Sequence, residues 1–238
     1  MSAPRGLHYV ASALDESQQQ ALLLRIEGDG RNKWAPLEIA VDKGRRVQQF
    51  GYRFDYRTDD VVRDAHPFPS WLARLGTIAE KHCLSLAGCG GPEIASASGS
   101  SGVAELAPAA RPGYFNQCIV NDYLPGQRIS PHTDAPVFGG VIVSFSLGCA
   151  ADMRFSRADH TPYVLRVAPG SLYVMAGEAR RLWRHEMLAQ TVGRRISVTF
   201  RRVEAPVCRS LHLGTPALWL LLLLAACTIA IGASKILG

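Results

Sequence analysis

From residue 114 to residue 203 the chain breaks into short apolar segments rich in Val, Ile, Phe and Tyr, separated by Gly, Pro and Asp. They are Tyr114–Asn121, Val141–Leu147, Met153–Ser156, Tyr163–Val167, Ser171–Met175, Leu182–Leu188 and Arg195–Val203. Their length and close spacing predict β-strands. The fold expected is α+β and mainly β, a double-stranded β-helix (jelly roll) with the N-terminal helices packed outside it. A β-sandwich of Greek-key type is the alternative.

Upstream, the signals change to helical ones. Asp15 followed by Gln18 makes a capping-box-like start for an amphipathic helix through about Ile26, ended by Gly28. Ser70 caps a second helix from Trp71 to about His82. The nearly uncharged stretch 88–111 is small and Gly/Ser-rich, and is expected to be a flexible surface loop. The N-terminus lacks the basic-then-apolar pattern of a signal peptide.

The last segment reads differently. Residues 217–234 carry no charge, show no polar face and are just long enough for a hydrocarbon core, which predicts a transmembrane helix. Arginines before it outnumber the single Lys235 after it, so residues 1–205 are expected on the cytosolic side, tail-anchored through 206–238. The six cysteines form no C-x-x-C pair, so neither a structural zinc nor a disulfide framework is expected.

The net charge is +6, with basic clusters at Arg45-Arg46, Arg180-Arg181-Arg184, Arg194-Arg195 and Arg201-Arg202. Coulomb attraction suits such clusters to an anionic partner, nucleic acid or a membrane surface, although charge alone selects neither.

The stretch NDYLPGQRISPHTDAP, residues 121–136, holds His132 and Asp134 two apart. At a strand end that spacing points both side chains one way. Two histidines and a carboxylate on one face hold Fe(II) and leave positions open. Downstream, the third ligand has three candidates, His160, His185 and His212. His160 lies in a hydrophilic turn and His212 adjoins the apolar tail, while His185 sits in strand-like RLWRHEML and is the natural choice. In RRISVTFR, Arg195 and Arg201 share a face with Ser197 and Thr199, while Ile196, Val198 and Phe200 take the other. Two arginines on an interior face need anionic partners, and a dicarboxylate would supply them.

The order N-x-Y-x-x-G (Asn121, Tyr123, Gly126), H-x-D, His185 and R-x5-R resembles the AlkB family of Fe(II)/2-oxoglutarate dioxygenases, from about Leu7 to Val203. The resemblance implies Fe(II) on His132, Asp134 and His185. It also implies 2-oxoglutarate held by Arg195 with Tyr123 and Asn121, and Arg201 at the co-substrate's other end or supporting the site. O2 is the second co-substrate. Arg45, Arg46, Tyr52 and Tyr56 resemble a substrate lid whose arginines would contact phosphates and whose tyrosines would stack a base. A surface hairpin packed on the core is the plainer reading of those four.

Four stretches, GRRVQQFGYRFDY, NDYLPGQRISPHTD, VSFSLGCAADMRF and SLYVMAGEARRLWRHEM, resemble the branch of that family acting on modified wobble uridines of tRNA. That branch typically adds an RNA-recognition module and a methyltransferase domain, neither of which fits in 238 residues. Glu186 stands where the family commonly has Gly, a carboxylate expected to crowd or charge the pocket. The activity implied is hydroxylation or demethylation of a nucleic-acid base, most of all in RNA of the tRNA type. A protein or membrane-associated substrate, or a non-catalytic nucleic-acid binder, are the alternatives.

Overall fold

The computed structural model describes residues 2–28, 34–36, 44–63, 65–88, 101–189 and 192–204. One compact unit spans Met1–Val203; the second, Glu204–Gly238, lies outside the described residues apart from Glu204. In chain order the elements are β1 (Leu7–Val10), α1 (Glu16–Gly28), β2 (Ala35–Pro36), β3 (Arg46–Phe50), β4 (Arg53–Asp55), β5 (Asp60–Val62), α2 (Ser70–Gly88) and α3 (Ser101–Ala109). There follow β6 (Gln117–Tyr123), β7 (Ile129–His132), β8 (Ile142–Gly148), β9 (Ala151–Arg157), β10 (His160–Val167), β11 (Leu172–Met175), α4 (Gly177–Arg181), β12 (Arg184–Met187) and β13 (Arg195–Arg201).

A seven-stranded sheet runs β1-β11-β8-β13-β6-β3-β2, a four-stranded sheet β10-β9-β12-β7, and β4 and β5 form a hairpin. The period-2 alternation of strands decides what lies between them. On the large sheet Cys118, Val120, Val143, Phe145, Leu147, Leu172, Val174, Ile196, Val198 and Phe200 belong to one apolar cluster with Leu72, Leu75, Ala79 and Cys83 of α2. Helix α2 comes so close that a Cβ on Gly76 would stand 3.5 Å from the Phe200 ring. The opposite face of the same sheet offers Tyr123, Ile142, Tyr173 and Met175 to Met153, Phe155, Leu165, Val167 and Met187 of the small sheet. Two cores therefore sit on either side of one sheet; the helix side buries Gln48 and Glu80 among its apolar groups, and the other side carries the histidines, arginines and serines of the site.

Two expectations need correction. The jelly roll is not seen: each strand ladder stays within its own sheet, so among the described residues the sheets are open and end in edges. The fold is a mixed one of several β-sheets and helices. Closure requires hydrogen bonds between strands far apart in sequence, which short apolar runs cannot report.

The membrane anchor is likewise withdrawn, together with the membrane partner and the tail-anchored localisation. Among the described residues no helix is long and apolar enough to cross a membrane. Helix α2, 19 residues long, carries Arg74, Glu80 and Lys81 and buries one face on the core, which is the pattern of an amphipathic core helix. Residues 217–234 lie outside the described residues.

Within the stretch read as a flexible loop, Ser101–Ala109 form α3, because Leu106 and Ala109 are fully buried in the first core. Residues 89–100 lie outside the described residues. The start of α1 follows its sequence signal: Asp15 Oδ1 accepts from the Gln18 amide at 2.8 Å, and Gln18 Oε1 accepts from the Asp15 amide at 2.9 Å. Asp15→Ala removes one half of this box and is expected to cost about 1 kcal/mol, read as a lowered urea midpoint at unchanged m.

Candidate metal centre

Strand β12 is hydrogen-bonded on both sides, and its register sets His185 opposite His132 on β7 and Phe155 on β9. The two imidazoles stand 4.3 Å apart between centroids. Asp134 stands two residues beyond the end of β7, with Oδ2 3.5 Å from His185 Nε2. One ligand atom from each of His132, Asp134 and His185 lies within 4.8 Å of the others.

The protonation of these groups suits a cation. The Ser130 carbonyl can only accept, so His132 Nδ1, 2.8 Å away, carries a proton, and Nε2 is the nitrogen available to a cation. Burial, then the neighbouring His132, push His185 down to about 3, against the pull of Asp134, so its imidazole is neutral near pH 7. Burial would raise Asp134, but the Arg201 guanidinium, followed by His185, His132 and Arg180, holds its carboxyl well below the usual range. Two imidazoles and a carboxylate are the donor set that Fe(II) takes in open three-ligand sites.

Beside these three, the inner face of the large sheet supplies cationic and hydroxyl groups. A cavity of about 40 Å³ is lined by Asn121, Tyr123, His132, Asp134, His185 and Arg195 among others. Arg195 is 1% exposed, its Nε donating to Ser146 Oγ at 3.1 Å and its Nη1 to Met187 Sδ at 3.3 Å. Its Nη2 is buried without a hydrogen-bond partner among the described residues. A buried guanidinium left with a hydroxyl, a thioether and an unsatisfied N–H calls for an anion. Arg201 has one already, since its Nη2 bonds Asp134 Oδ1 while its guanidinium lies 4.5 Å over the Phe138 ring.

The expected lid residues separate. Arg45 is buried, donates to Asn121 Oδ1 at 2.7 Å and reaches the Tyr123 hydroxyl at 3.4 Å, so it belongs to the inner wall. Arg46 points away, paired with Asp122 and stacked 5.1 Å from the Trp34 ring. Neighbours on a strand face opposite ways, which is why one arginine reaches the site and the other does not. Tyr52 packs in a small apolar cluster with Ala135, Phe138 and Val203. Tyr56 stays at the mouth, an opening of about 230 Å³ lined also by Phe54, Phe138, Arg45, His132 and Asp134. Glu186 does not enter the pocket: it bonds Arg154 Nε at 2.7 Å on the far face of the small sheet.

Sequence reasoning missed Ser146, Met187, Tyr173 and Arg180. The alternation V-S-F-S-L across β8 carried a signal for the first, because serines at period 2 between fully buried Val143, Phe145 and Leu147 mark a polar inner face. Met187, two residues after His185, carried the same period-2 signal, while no local signal marks Tyr173 or Arg180.

Residues 6–201 match the family model described as the 2OG-Fe(II) oxygenase superfamily. The chain is 27% identical over 234 residues to the tRNA (carboxymethyluridine(34)-5-O)-methyltransferase alkbh8 of Xenopus tropicalis, covering 87% of this chain and 33% of that protein. Against the protein of the same name from Macaca fascicularis it is 31% identical over 191 residues, covering 76% and 24%. The chain thus spans a third or less of the length of these two relatives. Uncharacterized protein L905 of Acanthamoeba polyphaga mimivirus is 35% identical over 214 residues, 83% of this chain and 85% of that one. The solved structure of OsALKBH1 superposes with a TM-score of 0.64 at 16% identity, over 85% of this chain and 99% of that one, a likeness of fold.

Proposed function

We propose a substrate and a set of residue roles from one premise: the chain belongs to the 2OG-Fe(II) oxygenase superfamily. It is an oxidoreductase that uses Fe(II), 2-oxoglutarate and O2. Our reading is that it hydroxylates or demethylates a modified base in RNA, of the tRNA wobble-uridine type. The observation that carries the residue assignment is the buried, unsatisfied Nη2 of Arg195 beside the His132, Asp134 and His185 cluster.

In this reading His132, Asp134 and His185 hold the metal, and Arg195 takes the far carboxylate of 2-oxoglutarate with help from Tyr123 and Asn121. When bound, Fe(II) with 2-oxoglutarate and O2 supplies the oxidation of a substrate C–H bond, with release of succinate and carbon dioxide. The protein's own part is to bind, orient and exclude water. Arg45 fixes the Asn121 amide, whose Nδ2 donates to Ser197 Oγ at 3.4 Å. Arg201 holds the Asp134 carboxylate. Phe54, Tyr56 and Phe138 give the mouth an aromatic rim on which an extruded base can stack. On an N-methyl group the hydroxylated product collapses to formaldehyde; on an ordinary carbon the alcohol persists. The vertebrate relatives, named for carboxymethyluridine at position 34 of tRNA, support the choice of substrate class.

Succinate release tests the reading, with Fe(II), 2-oxoglutarate and tRNA or modified oligonucleotides supplied to the wild type and to His132→Ala. Substrate-stimulated release by the wild type, lost in His132→Ala, is the expected result. Equal release by the variant overturns the metal assignment, and no stimulation by any nucleic acid overturns the substrate class.

A further inference from the structure

Arg180 is a charged side chain only 6% exposed; among the described residues it makes no direct ion pair, and the Asp134 and Glu105 carboxylates act on it only through space. Its guanidinium is spent on main-chain carbonyls of one short segment. Nη1 donates to Asp134 O at 3.0 Å, Nη2 to Ala135 O at 2.9 Å and to Phe138 O at 3.0 Å, and Nε to Gly139 O at 3.3 Å. The segment begins at Asp134, whose side chain is separately held by Arg201. Resting on the metal-site reading above, we propose that Arg180 is a positioning residue for the metal-binding carboxylate: it clamps the backbone from which Asp134 projects, while Arg201 clamps the carboxylate itself.

The donor set fits this task and no smaller one. A planar guanidinium presents five N–H donors in a fixed fork and can fasten several carbonyls of a turn at once, whereas an ammonium offers three donors from a single point. Arg180 is itself held in place from the other side. Helix α4 has no side-chain cap of its own; the Gly177 amide donates to Glu105 Oε2 of α3 at 2.9 Å, and Arg181 pairs with the same carboxylate. The approach is close, since a Cβ on Gly140 would stand 2.9 Å from Glu105 Oε2. A chain of contacts thus runs from Glu105 through α4 and Arg180 to the Asp134 backbone.

Mn(II) is the probe, a redox-stable divalent ion whose affinity is read by the loss of the free-ion paramagnetic resonance signal. Removing groups that orient metal ligands typically weakens metal binding about 10- to 100-fold. Arg180→Lys, which keeps the charge and loses the fork, is expected to weaken Mn(II) within that range. A role confined to stability would lower the melting temperature and leave Mn(II) affinity unchanged at temperatures where the protein stays folded. Glu105→Gln loosens α4 without creating an unpaired buried cation, and a smaller weakening in the same direction is expected. Should Arg180→Lys fail to fold, Glu105→Gln decides. Mn(II) affinity within about twofold of wild type in the folded variants overturns the inference. A wild type that binds no Mn(II) overturns the metal-site reading, and this inference with it.

Discussion

Asp134→Asn is expected to abolish 2-oxoglutarate turnover and to destabilise the metal-free protein as well. The substitution replaces the single anionic member of the His132, Asp134 and His185 cluster by a neutral amide of the same shape. A bound metal ion contributes several kcal/mol of charge stabilisation, so losing it costs about a thousandfold in succinate release or more. The second effect arises because Asp134 has two jobs. Arg201, with its side chain 12% exposed, pairs with this carboxylate, and its Nε already lacks a partner among the described residues. Breaking a buried pair from one side costs about 3–5 kcal/mol. For a chain of this size about 3 kcal/mol lowers the melting temperature by about 6–12 °C. Calorimetry in the presence of a chelator separates the two effects: a variant with no turnover but an unchanged metal-free melting temperature would mean that Arg201 does not depend on Asp134.

Arg195→Ala is expected to leave metal binding intact and to raise the KM for 2-oxoglutarate about 30-fold or more. A charged pair truncated from one side in a desolvated site costs about 2–5 kcal/mol, and 2 kcal/mol is about thirtyfold. Arg195→Lys keeps the charge without the fork and is expected to fall between the two. A titration of 2-oxoglutarate at saturating Fe(II) provides the check. If both variants keep the wild-type KM, the unsatisfied Nη2 has another purpose and the co-substrate lies elsewhere.

Much of the site could be read in the chain because its residues are local to strands. Period-2 alternation in RISVTFR places Arg195, Ser197, Thr199 and Arg201 in the cavity lining and sends Ile196, Val198 and Phe200 to the helix side. The H-x-D pair and a histidine in the next suitable strand meet because β7 and β12 are hydrogen-bonded neighbours. What could not be read depends on tertiary pairing. Arg180 looks like one of several surface arginines until the carbonyls of residues 134–139 are seen around it. Helix α4 lies in the gap between the two expected strands Ser171–Met175 and Leu182–Leu188, too short to show a helical period, and its cap comes from Glu105, 72 positions away. Whether the sheets close is a property of ladders between distant segments, and there the expected jelly roll gives way to open sheets. Arg46 could have been separated from Arg45 by parity alone.

The register of β12 and β7 carries one more consequence. Among the described residues strand β7 is an edge of the small sheet, hydrogen-bonded to a single neighbour, and its pairing shifts between His185 and Met187. His132 and His185, two of the three proposed ligands, face each other across that ladder. A cation held there acts as a stitch in a selvage, fastening a strand with one neighbour to a strand with two. Loss of the ion would then be felt first as fraying along one border of the sheet, while the helix-covered core on the other side of the molecule stays as it was.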